Sequence, residues 1–326
     1  MKKKKKIRIK NFKILLFLIL FTPAFGWGCF ILKEKLDVFF FWHEFSANAK
    51  IMSAQTAQDN FLQNLKELAP ARNKSVEDLN LGAKAVLALF LDKDKEATLL
   101  AKNIDKKLAI ASLTKLMTAK VILENYDLAK EIIISKEAVA QEEDLGKLTV
   151  GEKLPVGTLL YPLLIESSND AAFALANDYS GMTSYSFLEL MNLEARSLGL
   201  DNTFFYSVNG LEPDDELSTE INYSTAADLV KLVKDLLPET LLWQILATPQ
   251  INLYGEELTN TNKLLGEYNN IIGGKTGYTE KAGECFILVL EAPKGRGYLI
   301  NVILGSPNRW EEMRELIAWE KQAYLW

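Results

Sequence analysis

Histidine is almost missing from this chain: in 326 residues there is one, His43, directly behind an apolar stretch near the N-terminus. A Ser-His-Asp triad is thereby excluded, as is any multi-histidine metal site. Cysteine is nearly as scarce. Cys29 lies inside the apolar stretch and Cys285 far away in the body, so no disulfide framework and no Cys-His nucleophile can be built from them. There is no Cys/His zinc spacing, no glycine-rich phosphate loop, no internal repeat and no low-complexity run. The expectation is a protein with no cofactor and no metal, and the acidic run Asp214-Asp215-Glu216 is read as a solvated turn. Acids are absent from residues 1–13, which carry eight basic side chains: Lys2 to Lys6, Arg8, Lys10 and Lys13. Without those eight the net charge of −6 becomes −14, and so acidic a body argues against a nucleic-acid partner.

What is present is an ordinary globular composition, 48% hydrophobic and 25% charged, on a chain long enough to bury a large core. Behind the basic start, Ile14 to Leu32 runs 19 residues without a charge, interrupted by Pro23, Gly26 and Gly28. This is longer than a signal-peptide core and close to the ~20 residues that cross a bilayer. Positive charge before a span stays in the cytoplasm. Residues 1–13 are therefore expected to be a basic cytoplasmic N-terminus, 14–32 an uncleaved transmembrane signal-anchor, 33–75 a juxtamembrane stalk and 76–326 a body held outside the membrane.

The body opens with an expected hairpin, Ala85–Leu91 and Ala97–Ala101, about the charged turn 92–96. Helices are expected over Ser112–Asn125, Leu159–Ile165, Ala171–Tyr179 (with Asp170 as N-cap), Phe187–Leu198 and Thr225–Leu237. Three strands follow, Asn270–Thr276, Glu284–Leu290 and Tyr298–Leu304, and a helical segment closes the chain from Arg309 to Trp326. Hairpin, helices, then strands and a terminal helix make an α/β pattern in which both ends of the chain pair in one mainly antiparallel sheet.

Three short motifs carry the chemistry: Ser112-Leu113-Thr114-Lys115, Ser167-Ser168-Asn169 and Lys275-Thr276-Gly277. Alone, each is weak, since chance supplies roughly one S-x-x-K per chain of this size. In this order they describe a serine nucleophile whose base is a lysine. At i, i+3 on a helix Ser112 and Lys115 share a face, and at the helix N-terminus Ser112 has free N–H groups beside it. Lysine accepts a proton only when neutral, and burial or a nearby cation such as Lys275 favours that form. Ser167 is expected to pass a proton toward a leaving group and Asn169 to position Lys115 or a substrate amide. Lys275 and Thr276 are expected to hold a terminal carboxylate, with Gly277 keeping the strand edge open for a peptide.

With these motifs, and with Ile110 to Thr118, Leu164 to Ala172, Asn209-Gly210-Leu211, Tyr223 to Ala226 and Thr276 to Thr279, the chain from about Leu81 onward resembles the D-alanyl-D-alanine carboxypeptidases, the low-molecular-mass penicillin-binding proteins. The resemblance implies a β-lactamase/transpeptidase-like fold: a mainly antiparallel sheet flanked by helices, plus an all-helical part, with the active site between them. It implies a catalytic domain over 76–326, acylation of Ser112 by a peptidoglycan pentapeptide, and β-lactams as covalent inhibitors. By the same resemblance Lys115 is the proton acceptor, Ser167 the second active-site serine, Lys275 the substrate binder, and the N–H groups of Ser112 and Tyr278 the oxyanion hole. It also implies a bacterial cytoplasmic membrane. Ser168 stands where the family commonly has glycine. A β-lactamase lacks its glutamate here, because no E-x-x-L-N lies between Asn169 and Lys275. An endopeptidase acting on cross-links would carry the same motifs, whereas a non-catalytic cell-wall binding protein would have no need of the lysine base.

Overall fold

The computed structural model describes residues 31–33, 35–37, 39, 69–93, 95–141, 147–177, 184–213, 215 and 218–326. Cys29, His43, most of the 14–32 span and most of the stalk lie outside the described residues. Among the described residues no helix is long and apolar enough to cross a membrane. The chain divides into two compact units, Met1–Leu68 and Ala69–Trp326, and the second holds all three motifs. Its start takes 69–75 into the body and out of the expected stalk. Ala71–Arg72 pairs antiparallel with Tyr324–Leu325, and Arg72 Nη2 donates to the Val76 carbonyl at 2.7 Å.

Five strands form the main sheet: β1 (Ala85–Asp92), β2 (Lys95–Lys102), β3 (Ile271–Thr279), β4 (Gly283–Glu291) and β5 (Tyr298–Ser306). Their order is β3-β4-β5-β1-β2 and every pairing is antiparallel. β1 is apolar almost throughout because both of its faces are covered. Leu87, Leu89 and Leu91 enter the larger core, shared with the helical part, while Val86, Ala88 and Phe90 enter a second core under the terminal helix.

The helical part lies between β2 and β3 in sequence. Its helices include α1 (Lys115–Asn125), α2 (Asn169–Asn177), α3 (Ser184–Ser197) and α4 (Ala226–Leu236), and α4 packs on β1 and β5. The terminal helix α5 (Arg309–Ala323) covers the other face. Eight successive residues of α1, Lys115 to Ile122, are buried, so its apolar residues face all sides as a central helix requires. Lys120 ties it to its neighbours, its ammonium lying 2.5 Å from Glu124, 3.3 Å from Glu194 on α3 and 2.5 Å from Asp235 on α4.

Two local expectations change. The helix expected over Leu159–Ile165 is an α-helix, Val156–Tyr161, followed by a π-helical turn, Pro162–Glu166, that ends where the Ser168 N–H donates to the Pro162 carbonyl at 2.9 Å. The N-cap of α2 is Ser168 and not Asp170, for Ser168 Oγ accepts the Ala171 N–H at 3.0 Å. Asp170 sits buried within the first turn.

One buried acid gives the sheet–helix interface a pH dependence. Glu320 on α5 is 1% exposed, receives the Asn301 amide of β5 at 3.3 Å, and has its other oxygen unmet. Burial pushes its carboxyl up from an ordinary 4.5 to about 8, against the opposing effect of the Asn301 bond. A raised acid contributes stability that is full below its unfolded value and is lost as pH rises through the folded one. Glu320→Gln should therefore match the parent in thermal melts at pH 4.5 and exceed it at pH 9 by roughly 3–6 °C. Parallel melting curves across that range would refute the assignment.

Candidate active site

The nucleophile motif folds differently from a simple helix start. Ala111–Thr114 is a 3₁₀ turn and the α-helix begins only at Lys115. Ala111 takes a left-handed backbone, φ 46°, which sets the turn apart from the helix and corrects the expected placement of Ser112 at the first turn of an α-helix. The i, i+3 contact survives: Lys115 Nζ donates to Ser112 Oγ at 2.9 Å.

Lys115 is fully buried, and its amine is held from two further directions. It donates to Asn169 Oδ1 at 2.6 Å and to the Asn209 carbonyl at 2.7 Å. Of the two expected roles for Asn169, the contact seen is the one with Lys115. Asn209 belongs to a turn that has no room for a side chain at its next residue: a Cβ on Gly210, φ +88°, would lie 2.1 Å from the Ala111 carbonyl oxygen. Thr118 fastens the same loop to α1, donating to the Val208 carbonyl at 2.6 Å. Asn222 adds a bond from its amide to Thr114 Oγ1 at 2.9 Å and accepts the Tyr206 N–H at 2.7 Å.

The second and third motifs meet across the cleft. Ser167 follows the π-helical turn with a left-handed backbone, φ 67°, and its hydroxyl accepts from Lys275 Nζ at 2.8 Å. Thr276 Oγ1 bonds Thr261 Oγ1 at 2.8 Å, and the Thr261 N–H donates to the Ile165 carbonyl at 2.9 Å, so the segment around Thr261 bridges the two motifs. Gly277 lies on the edge strand of the sheet, and the structure shows a further reason for a bare residue there. Its missing Cβ would stand 3.0 Å from both the Ile110 carbonyl and the Ser112 nitrogen, so glycine lets the nucleophile's turn lie against β3. Ser168 is fully buried as a cap, and its hydroxyl serves the helix.

These side chains open on a cavity of about 360 Å³ lined by Ser112, Ser167, Asn169, Thr276, Tyr278 and Arg309, among others. Arg309 escaped the sequence reading, as did Thr261, Lys263, Glu284 and Trp310, which also line it. Arg309 opens α5 and donates from Nη1 to the Gly277 carbonyl at 2.7 Å, but nothing in the local sequence separates it from any arginine at a helix start. Burial, and secondarily the Arg309 charge, lower Lys275 from 10.5 to about 7. The expected influence of one cation on another is thus seen on Lys275. Among the described residues no cluster of histidine, cysteine, aspartate and glutamate could hold a metal ion, and of the acidic run only Asp215 is described. The arrangement can deprotonate a serine, hold an anion and pass a proton.

The sequence profile of the D-alanyl-D-alanine carboxypeptidase family matches residues 72–308. A D-alanyl-D-alanine carboxypeptidase of Bacillus subtilis is 33% identical over 236 residues, covering 69% of this chain and 58% of that protein. One from a Streptomyces strain is 35% identical over 243 residues, covering 68% and 81%. The fold is similar to that of penicillin-binding protein D2 from Listeria monocytogenes in its cefotaxime-bound form. That match has a TM-score of 0.64 and 29% identity, over 74% of this chain and 98% of that one.

Lys275 attracts an anion only while protonated. Affinity of the cleft for N-acetyl-D-alanine should be greatest between about pH 5 and 7, where both partners are charged, and fall as Lys275 loses its proton above about 7. Calorimetric titration at pH 6 and pH 9 should differ by roughly tenfold; equal affinities would remove Lys275 from carboxylate binding.

Proposed function

The chain belongs to the D-alanyl-D-alanine carboxypeptidase family, and from that membership we propose that it is a serine peptidase removing the terminal D-alanine from peptidoglycan stem peptides. The observation that carries this reading is the buried amine of Lys115, 2.9 Å from Ser112 Oγ and aimed at it by Asn169 and Asn209. Acting as a base requires the uncharged amine, which keeps two donated bonds, to Asn169 and Asn209, and accepts from Ser112 Oγ in place of the third. Lys115 takes the Ser112 proton as Oγ attacks the carbonyl carbon of the penultimate D-alanine. The N–H groups of Ser112 and Tyr278 receive the negative charge that develops on the carbonyl oxygen. Ser167, in contact with Lys275, relays a proton to the departing amine, and the C–N bond breaks to release D-alanine. Water, deprotonated by Lys115, then attacks the Ser112 ester, and the shortened peptide leaves. Until D-alanine departs, Lys275, Thr276 and Arg309 hold its carboxylate, the two cations supplying charge and Thr276 a hydroxyl.

β-Lactams are read as inhibitors that acylate Ser112, in keeping with the antibiotic bound to the similar Listeria protein. We further propose that residues 14–32 hold the chain in a bacterial cytoplasmic membrane as a single span, with the body on the outer side where stem peptides occur. Supporting it are the eight basic residues before the apolar run and the absence of acids among them.

With full-length protein, diacetyl-L-lysyl-D-alanyl-D-alanine should release one D-alanine per peptide, and Ser112→Ala or Lys115→Ala should reduce kcat/KM at least ~1,000-fold. Release that persists in Ser112→Ala would overturn the mechanism. Fluorescent penicillin should label Ser112 as an adduct lasting through electrophoresis, whereas rapid loss of label would favour a β-lactamase. For the location, alkaline carbonate washing should leave the full chain in the membrane fraction, and extraction into the supernatant would count against the span.

A further inference from the structure

Arg309 makes contacts that the mechanism above leaves unused. Its Nη1 donates to the Gly277 carbonyl of β3 at 2.7 Å and to the Cys285 carbonyl of β4 at 3.2 Å. Arg309 is held in turn by Glu284, whose Oε2 accepts its backbone N–H at 2.7 Å and lies 3.4 Å from its Nε. Glu284 stands opposite Tyr278 in the β3–β4 register and beside the first residue of α5, where a carboxylate is favoured. The guanidinium is thus fixed against two backbone carbonyls of the sheet, with its side chain largely buried.

The Gly277 carbonyl belongs to the same peptide unit as the Tyr278 N–H, and a trans peptide directs these two groups to opposite sides. β3 is an edge strand with β4 as its sheet neighbour, and Gly277 pairs with Cys285, whose carbonyl shares Nη1. With its carbonyl on the β4 side, the unit turns its N–H to the open edge. There Tyr278 lines the cavity of about 360 Å³, and the Ser112 nitrogen comes within 3.0 Å of the space a Gly277 Cβ would fill. A cation on the carbonyl draws electron density through the amide and makes the N–H a stronger donor. We infer that Arg309, held by Glu284, is the positioning residue of the oxyanion hole: it orients the Gly277–Tyr278 peptide and polarises its N–H toward the oxygen that becomes negative on attack. The inference rests on the proposed function and gives Arg309 a duty separate from its contact with the terminal carboxylate.

Two substrates separate the duties on the full-length protein: diacetyl-L-lysyl-D-alanyl-D-alanine, which ends in a carboxylate, and diacetyl-L-lysyl-D-alanine methyl thioester, which has none. Arg309→Lys keeps the charge but loses the planar fork, and kcat should fall roughly tenfold on both substrates. Thioester turnover at the parent rate would overturn the inference and leave Arg309 a carboxylate binder only. A penicillin-derived ester on Ser112 reports the hole directly, since a weaker donor leaves its carbonyl stretch at higher frequency. That band should move up in Arg309→Lys and in Glu284→Gln, and an unshifted band in both would overturn the inference. If Arg309→Lys melts far below the parent, Glu284→Gln decides alone, because it keeps an acceptor for the Arg309 N–H while breaking the ion pair. Its thioester kcat should fall about threefold, and a parental kcat with an unshifted carbonyl counts against the assignment. Turnover of neither substrate by the unaltered protein would overturn the proposed function itself, and the inference with it.

Discussion

A buried amine with three oxygen partners governs the placement of everything around the cleft. Lys115 is reached by its own turn through Ser112, by the start of α2 through Asn169 and by the 206–211 loop through the Asn209 carbonyl. A lysine amine without water must find its partners inside the protein, so each of these segments has to be brought to it. The left-handed backbones at Ala111 and Ser167 and the bare Gly210 follow from that convergence. Each is unfavourable or restrictive on its own, and each lies directly beside a group that touches Lys115, Ser112 or Lys275.

The two lysines of the cleft divide the work by environment. Lys115 donates to three neutral oxygens, that of the nucleophile among them, whereas Lys275 adjoins Ser167 and shares its surroundings with Arg309. Arg309 is itself lowered by burial, even with the Glu284 carboxylate 3.4 Å from its Nε, so the pair leaves the charge of Lys275 costly until a further anion arrives. A substrate carboxylate would compensate Lys275, which makes binding at that end a matter of charge compensation more than of shape.

Much of the fold was legible because long, strongly patterned segments leave little choice. The β1–β2 hairpin, the last three strands and the helices around 187–198 and 225–237 match the structure to within a few residues. The motif residues came together because an i, i+3 pair and a strand-borne K-T-G fix local geometry, and their order then fixes the rest. Illegible were features decided by contact across the fold. Nothing local marks the 3₁₀ turn before α1, which depends on the Ala111 backbone meeting Gly210. Capping passed from Asp170 to Ser168 because the π-helical turn shifted the helix start, and four acceptors in succession, Ser167 to Asp170, offer no local means of choosing. The hairpin of Gln250–Leu253 and Glu256–Thr259 leaves little trace in the sequence, as its strands are short and half exposed, yet the segment just after it carries Thr261 into the site.

The strand order has a consequence for the birth of the molecule. β1 leaves the ribosome early, but one of its two partners is β5, with Ala88 opposite Asn301. Until β5 is made, β1 has a single neighbour and no closed core on either face, and the β3–β4 pair, which carries Lys275, has no link to β1. Native structure is therefore deferred until β5 has been made, because contacts so distant in sequence form last. A chain that delays its own closure in this way stays threadable while it is being made, and only afterwards acquires a working site.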